Sequence, residues 1–476
     1  MKSIILSICL LASISVFANS DSVKVLNAAE FLSIVTNYHP IAKQAGLITE
    51  QAKAELVIAR GGFDPYIYSD YDRKNFDGKN YYSLFGNEIK VPGWYGLELK
   101  AGYDIAYGVN INPENSIPQG GLGYIGISAN VLKGMIMDKR MAALKQAKIF
   151  RESSEQERLI ILNDLLLDAN KAYYEWSQSY QNLLIFENAL KLAEVRFTAT
   201  KQTYVLGDRP AIDTIEALTQ FQSRQYQYNE AKLQFIKSGL ELSNFLWYDN
   251  DVPVQLTDSI VPETLTSGFT QLSISLAKAE EFESQLKTVN PYLQTYNYKL
   301  KMLDIERRLK IENLKPTLNV NYNLLSKQFN MFTEGSPAIF RNDYKFGLMF
   351  SMPLTFAQAR GELKLNKLKI KDTQYTINQK TLELVNKLKA YYNELVITQQ
   401  QVVIYEDMVL NMQKLFSGED QRFRNGESSL FLVNARENNM LNTQMKLREL
   451  QAKFYKTEAA VKWAIGMLPQ NTSLKY

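Results

Sequence analysis

Asp64-Pro65-Tyr66-Ile67-Tyr68-Ser69-Asp70-Tyr71 has a counterpart 251 residues further on, Lys315-Pro316-Thr317-Leu318-Asn319-Val320-Asn321-Tyr322-Asn323-Leu324. Each stretch leaves a helical pattern, passes a proline and enters residues that suit a strand. Each is preceded by a second proline that opens the helix, Pro40 after His39 and Pro291 after Asn290, and both proline pairs are 25 residues apart. Self-similarity at this scale means two copies of one structural unit, and it governs how every local motif is read.

Working outward, residues 138–206 contain no proline, and apolar residues recur at three- and four-residue steps: Leu159, Leu162, Leu166, Ala169, Tyr173, Trp176, then Leu183, Phe186, Leu190, Ala193 and Phe197. One helix of roughly 100 Å is predicted, at about 1.5 Å per residue. Gly207-Asp208-Arg209-Pro210 ends it, because glycine accepts a left-handed cap and proline suits the first turn of the next helix. A second helix is predicted over 211–247. The other copy repeats the plan with a helix over 358–424, a break at Asn425-Gly426-Glu427 and a helix over 428–467. Helices of this length with a narrow apolar stripe lie side by side as coiled-coil-like hairpins. The short helix before each strand region and the one after each glycine turn, stacked end to end, match the long helix in length, so six helices give four rods.

Leu97, Leu99, Ala101, Tyr103, Ile105, Tyr107, Val109 and Ile111 alternate with Glu98, Lys100, Gly102, Asp104, Ala106, Gly108 and Asn110. That is long for a strand of a globular protein and suits a tilted strand with one face to lipid and one to a polar lumen. Residues 319–324, 124–129 and 345–352 alternate similarly. Tyr66, Tyr68, Tyr71, Tyr81, Tyr82, Trp94, Tyr95, Tyr322, Phe346 and Phe350 collect in or beside these segments, as interfacial girdles require. Two hairpins cannot close a barrel in lipid, where open strand edges are not tolerated. Three copies with four strands each give about twelve strands and, with four rods each, a twelve-rod tube. The expected fold is a membrane β-barrel joined to a long α-helical barrel, with two structural repeats per chain, completed by a homotrimer.

Residues 1–18 read as a signal peptide: Lys2 supplies charge, Ile4 to Phe17 is apolar, and Val16-Phe17-Ala18 offers a cleavage pattern. The only cysteine, Cys9, lies inside it. The exported chain then has neither disulfides nor thiolate chemistry, and with His39 as its one histidine it lacks His- and Cys-based metal sites and triads. No catalytic residue, cofactor or metal is expected. The formal charge of +4 is spread among acids, which does not indicate nucleic-acid binding. The organisation expected is a first repeat over 19–248, with a β-hairpin region at 65–132 and a helical-hairpin tip at 207–210. A connecting segment over 249–285 leads to a second repeat over 286–467, with a β-hairpin region at 316–355 and a tip at 425–427. A tail over 468–476 follows. Val131 comes 66 positions after Pro65, whereas Pro353 comes 37 after Pro316. The first region therefore carries either additional barrel strands or an elaborated rim hairpin.

The pattern resembles the TolC family of outer-membrane efflux and secretion ducts. Its most specific marks are the two tips: Tyr204-Val205-Leu206-Gly207-Asp208-Arg209-Pro210-Ala211-Ile212-Asp213-Thr214-Ile215-Glu216-Ala217, and Phe423-Arg424-Asn425-Gly426-Glu427-Ser428-Ser429-Leu430-Phe431-Leu432-Val433-Asn434-Ala435. The strand-to-helix passages Ala129-Asn130-Val131-Leu132-Lys133-Gly134 and Ser351-Met352-Pro353-Leu354-Thr355-Phe356 match the family's Pro-Leu-x-x-Gly exit loosely, the first lacking the proline and the second the glycine. The resemblance implies a trimeric conduit from the bacterial outer membrane into the periplasm. A periplasmic adaptor of the membrane fusion class docks on it and joins it to an inner-membrane pump, RND or ABC, for efflux or type I secretion. It implies that Asp213 and Glu216 narrow the pore, with Asn434 at the matching place of the second tip. Gly207, Asp208, Arg209, Pro210, Asn425, Gly426 and Glu427 would form the docking tips, with Arg422 and Arg424 nearby, and Pro65, Pro316 and Pro353 would mark the junctions of barrel and tube. The rival reading is a periplasmic coiled-coil adaptor or scaffold without a pore, which shares the hairpins and glycine tips but not the alternating strand set.

Overall fold

The computed structural model describes residues 24–207, 209–257, 259–265, 276–327 and 343–471. The signal peptide reading, Cys9 and Asp208 lie outside the described residues, as do parts of the connecting segment and of the tail. The chain begins with a short strand β1 (Lys24–Leu26), followed by α1 (Ala28–Tyr38) and α2 (Pro40–Gly61). His39 separates the two helices and caps the second, its Nδ1 accepting from Ile41 N–H at 3.2 Å. The same joint recurs between α5 (Leu276–Val289) and α6 (Pro291–Glu312). There Asn290 Oδ1 accepts from Tyr292 N–H at 3.0 Å. In both copies proline occupies the first helical position, where its missing N–H costs nothing.

The long helices are α3 (Lys139–Val205, 67 residues) and α7 (Ala357–Arg424, 68 residues). After the tips the chain returns as α4 (Ala211–Ser243) and α8 (Leu430–Ile465). Against the 67 residues of α3 lie α2 with 22 and α4 with 33; against the 68 of α7 lie α6 with 22 and α8 with 36. Near one end Leu56 of α2 is buried with Leu144 and Ala147 of α3. Further along, Leu166, Ala169, Tyr173 and Trp176 of α3 share a core with Phe31, Leu242, Ala459 and Ala460. That cluster joins the two copies, since α3 touches α6 and α8 as well as its own partners. Around it β1 pairs in parallel with β8 (Ile260–Pro262), and β6 (Trp247–Tyr248) pairs with β7 (Val252–Pro253), which puts the connecting segment against the middle of the rods. A short α9 (Leu468–Asn471) follows Gly466. Among the described residues no helix is long and apolar enough to cross a membrane.

The sheet is where the copies part. The first contributes β2 (Tyr66–Phe76), β3 (Lys79–Pro92), β4 (Leu97–Tyr107) and β5 (Leu122–Asn130); the second contributes β9 (Thr317–Lys327) and β10 (Tyr344–Ser351). They form one antiparallel sheet in the order β10-β9-β5-β4-β3-β2, with β5–β9 the seam between copies. Among the described residues the chain contributes six strands where the twelve-strand arithmetic took four, so of the two alternatives for the longer first region the sheet has additional strands. The reason is a full-height additional hairpin. Asp77 and Gly78, at φ 52 and 67, make the tight two-residue turn between β2 and β3. Gly93 to Gly96 turns the chain back at the helical end, where Trp94 stacks on Phe63 at 4.8 Å.

Register assigns the faces. Val91, Leu99, Ile127, Tyr322 and Phe346 lie in one row across five strands, and all are exposed apolar side chains. The adjoining row, on the opposite face, is Lys90, Lys100, Gly126, Asn323 and Lys345. A sheet exposing its apolar face and carrying charge on the other inverts the pattern of a soluble protein. Tyr66 and Tyr68, expected in an aromatic girdle, pair with Lys90 and Glu88 and so fall on the polar face, where Lys90 Nζ lies 5.5 Å from the Tyr68 ring centre. A one-residue step in register moves a side chain to the other face, and composition alone does not reveal it.

Candidate functional site

The two helical-hairpin tips are built alike. At the end of α7, Gly426 N–H donates to Phe423 O at 3.1 Å and Glu427 N–H to Arg422 O at 2.9 Å, a Schellman cap. At the end of α3, Gly207 N–H donates to Tyr204 O at 3.0 Å. Gly207 and Gly426 take φ of +84° and +80°, and a Cβ at either would meet nothing within 4 Å. Glycine is needed here for the left-handed turn rather than for close approach. Asn425 is the C-cap of α7, and Pro210 immediately precedes α4.

Arg209 fastens one tip to the other. Its guanidinium lies 4.0 Å over the Phe423 ring, Nη2 donates to Phe423 O at 3.2 Å, and Nη1 reaches Asp213 Oδ2 at 3.4 Å. Further along, Asn434 Nδ2 donates to Glu216 Oε1 at 3.1 Å, and Asn434 Oδ1 accepts from Arg196 Nη1 at 3.4 Å. Arg196 Nη1 also meets Glu437 Oε2 at 2.5 Å, and Arg224 Nε stands 3.7 Å from Glu437 Oε1. Arg224 donates to Gln227 Oε1 at 2.7 Å and to Asn438 Oδ1 at 2.6 Å. Arg224 and Glu437 are buried, at 1% and 0% exposure. Burial pushes the Arg224 pKa down and the Glu437 carboxylate opposes it. A buried carboxylate between two guanidiniums is costly to desolvate and costlier to unpair, so it holds the two hairpins in one register.

This arrangement ties the helices of the two hairpins together. Among the described residues no group of three or more His, Cys, Asp or Glu is placed to hold a metal ion. Around the tips Val205, Leu206, Ile212, Ile215 and Phe431 are exposed apolar side chains.

Residues 284–467 match the model of the outer membrane efflux protein family. The Campylobacter jejuni CmeC outer membrane channel superposes on the chain with a TM-score of 0.63 at 14% identity, covering 92% of this chain and 85% of that one. The Vibrio cholerae outer membrane protein VceC gives 0.62 at 12%, covering 92% and 96%, and the open state of the Neisseria gonorrhoeae MtrE outer membrane channel gives 0.61 at 11%, covering 92% and 88%. No curated protein matches the sequence. The chain has the outer-membrane efflux channel fold. The likeness to efflux channels extends through the second repeat in sequence and across nearly the whole chain in shape.

Within this efflux-channel fold, the residues singled out in the sequence are distributed as follows. Glu216 and Asn434, from different hairpins, are brought into contact, whereas Asp213 is paired with Arg209. Pro65 and Pro316 immediately precede β2 and β9, and Pro353 lies between β10 and α7. Arg196, Arg224 and Glu437 were not singled out. A signal for Arg224 was present: Ala217, Arg224, Ala231 and Ser238 are buried at seven-residue steps along α4, so the arginine occupies a core position of a heptad. Its partner on α8 is more than 200 residues away in sequence, and no local pattern points to it.

Proposed function

We propose that three copies of the chain form an outer-membrane channel of a tripartite efflux or type I secretion system. It receives substrate from an adaptor–pump assembly and conducts it across the periplasm and the outer membrane. The observation that carries this reading is the sheet: its apolar face is exposed, its polar face is charged, and among the described residues β2 and β10 each have an unpaired edge. Such edges are satisfied in lipid only by a neighbour, so β2 of one copy pairs with β10 of the next. Beneath the barrel, rods of roughly 100 Å suit a tube reaching into the periplasm.

The tips form the inner end. Their exposed apolar side chains beside Arg209, Arg422 and Arg424 suit the periplasmic adaptor, through which an RND- or ABC-type pump is engaged. Asp213 and Glu216, with Asn434, narrow the pore there. In this arrangement Arg209 holds Asp213 and Asn434 holds Glu216, so opening the tube requires these contacts to give way. The test is extraction of the full chain from membranes, native mass spectrometry in detergent and single-channel recording in planar bilayers. Detergent-dependent release, a trimer and discrete conductance are expected. Release without detergent and no pore would overturn the reading in favour of a scaffold.

A further inference from the structure

The additional hairpin has a consequence for the outer mouth, given the channel reading above. Three copies of a six-stranded sheet make eighteen strands. A closed barrel of that size leaves an aqueous lumen, since diameter grows with strand number. β3 pairs with β4 from Pro92↔Glu98 to Ser83↔Tyr107, so the additional strands run the height of the sheet and belong to the wall.

In the β4–β5 connection, residues 108–121, Val109 and Asn110 N–H still donate to Asn80 O and Tyr81 O of β3, and the loop beyond them does not continue upward as a free rim loop. Glu114, Asn115, Ser116 and Ile117 border one cavity together with Asp70, Asp104, Tyr124, Asn323 and Lys345. Those five strand residues all lie on the polar face by register. The loop therefore folds back over the lumenal side of the sheet. Its far end returns across the rim, where Tyr103 of the apolar row donates its hydroxyl to Gly120 O and Gly121 N–H donates to Pro118 O at 3.0 Å. Beneath the loop the wall is shaped to make room. A Cβ at Gly86 would sit 2.9 Å from Asp70 Oδ1 and 3.4 Å from Asp104 Oδ1, so both carboxylates lean over the glycine from the strands on either side.

We propose that this loop is a filter in the outer mouth: the additional hairpin widens the barrel, and the middle of the loop, residues 114–117, lying over the polar face, narrows it again and sets its charge preference. Asp70, Asp104 and Glu114 outnumber Lys345 at the cavity, so the filter passes cationic and neutral solutes in preference to anions. Size is limited by the loop and not by the barrel wall.

The test uses the full chain in planar bilayers. Cys9 is the only native cysteine, so Glu114→Cys places a single reporter thiol on the loop. A bulky anionic methanethiosulfonate reagent should lower the conductance of this variant and leave the parent channel unchanged. Replacing residues 110–119 by two glycines should raise conductance by at least about twofold, as expected if the wall alone sets the lumen. Asp104→Asn should reduce the cation-to-anion permeability ratio. A pore whose conductance is untouched by labelling of Glu114→Cys would overturn the filter and leave the channel reading standing, even if the loop replacement did not fold. A parent chain that forms no pore would instead overturn the channel reading and the filter with it.

Discussion

The first and second copies share a helical plan and differ in their sheets. Each opens with a helix, a capping residue before proline and a 22-residue helix, then passes through strands into a rod of 67 or 68 residues with a glycine tip. Yet the first builds four strands where the second builds two. Rods must match in length to lie side by side, so an insertion there would unpair heptads along the whole bundle. A sheet grows by whole hairpins, because each added pair of strands restores the same edge and returns the chain to the same end. The tolerance for change lies in the sheet, and the equality of the copies lies in the rods.

The largest effect expected from breaking this comparison is at the joint between copies. Glu437→Ala leaves Arg196 and Arg224 facing each other without their carboxylate. Loss of one partner from a buried pair costs about 3–5 kcal/mol. Thermal unfolding followed by circular dichroism should show a clear drop in midpoint; an unchanged midpoint would mean the network does not hold the hairpins together. Next come the tips. Gly207→Ala and Gly426→Ala should each cost about 1–2 kcal/mol, from the left-handed backbone alone, since nothing crowds either position. Similar losses in the same assay sharpen the equivalence of the two tips, and a loss at only one would break it.

His39 and Asn290 allow a finer comparison, because both cap the helix that follows. His39 is buried beside Phe245 and Trp247, and burial holds its pKa below the usual 6.5, opposed by a hydrogen bond to the Asn244 backbone. Above pH 6.5 the ring is neutral in folded and unfolded chains, and its contribution is complete. As pH falls below 6.5 the unfolded chain takes up a proton first, so stability is lost until the folded pKa is passed. His39→Asn copies the second repeat, keeps the cap and should remove this part of the pH dependence. Unfolding midpoints of parent and variant that fall in parallel between neutral and mildly acid pH would refute it.

The smallest effect concerns the strand-to-rod passages. Gly134 and Phe356 follow Leu132 and Leu354 at the same offset, and both have positive φ, +85° and +50°. Phe356→Gly should therefore gain at most about 1 kcal/mol in the thermal assay, glycine relieving the left-handed strain at some entropic cost. A loss larger than that would mean the phenyl ring contributes more by packing than its backbone costs.

The rods were legible because a helix writes its partner face locally: Leu162, Leu166, Ala169 and Tyr173 recur on one stripe and are buried. Glycine at 207 and 426 marks the turns for an equally local reason. The strand count was less legible. In β3, Asn87 lies on the apolar face and Tyr82 and Leu84 on the polar one, so the alternation that reveals β4 is blurred there. Asp213 and Glu216 sit three residues apart on one helix, as the sequence suggested, but they find different partners. Arg209 is local to the first hairpin, while Asn434 comes from the second.

Periodicity, caps and breakers act over a few residues, so the repeat, the lengths and ends of the rods, and the alternation of β4 are readable without a fold. The six strands of the sheet, the polar side taken by Tyr66 and Tyr68, and the place of residues 114–117 over the polar face emerge only in the folded chain. It alone joined Arg196 and Arg224 around Glu437. Register and pairing depend on residues far apart in the chain, and an ion pair between α4 and α8 exists only once the rods lie side by side.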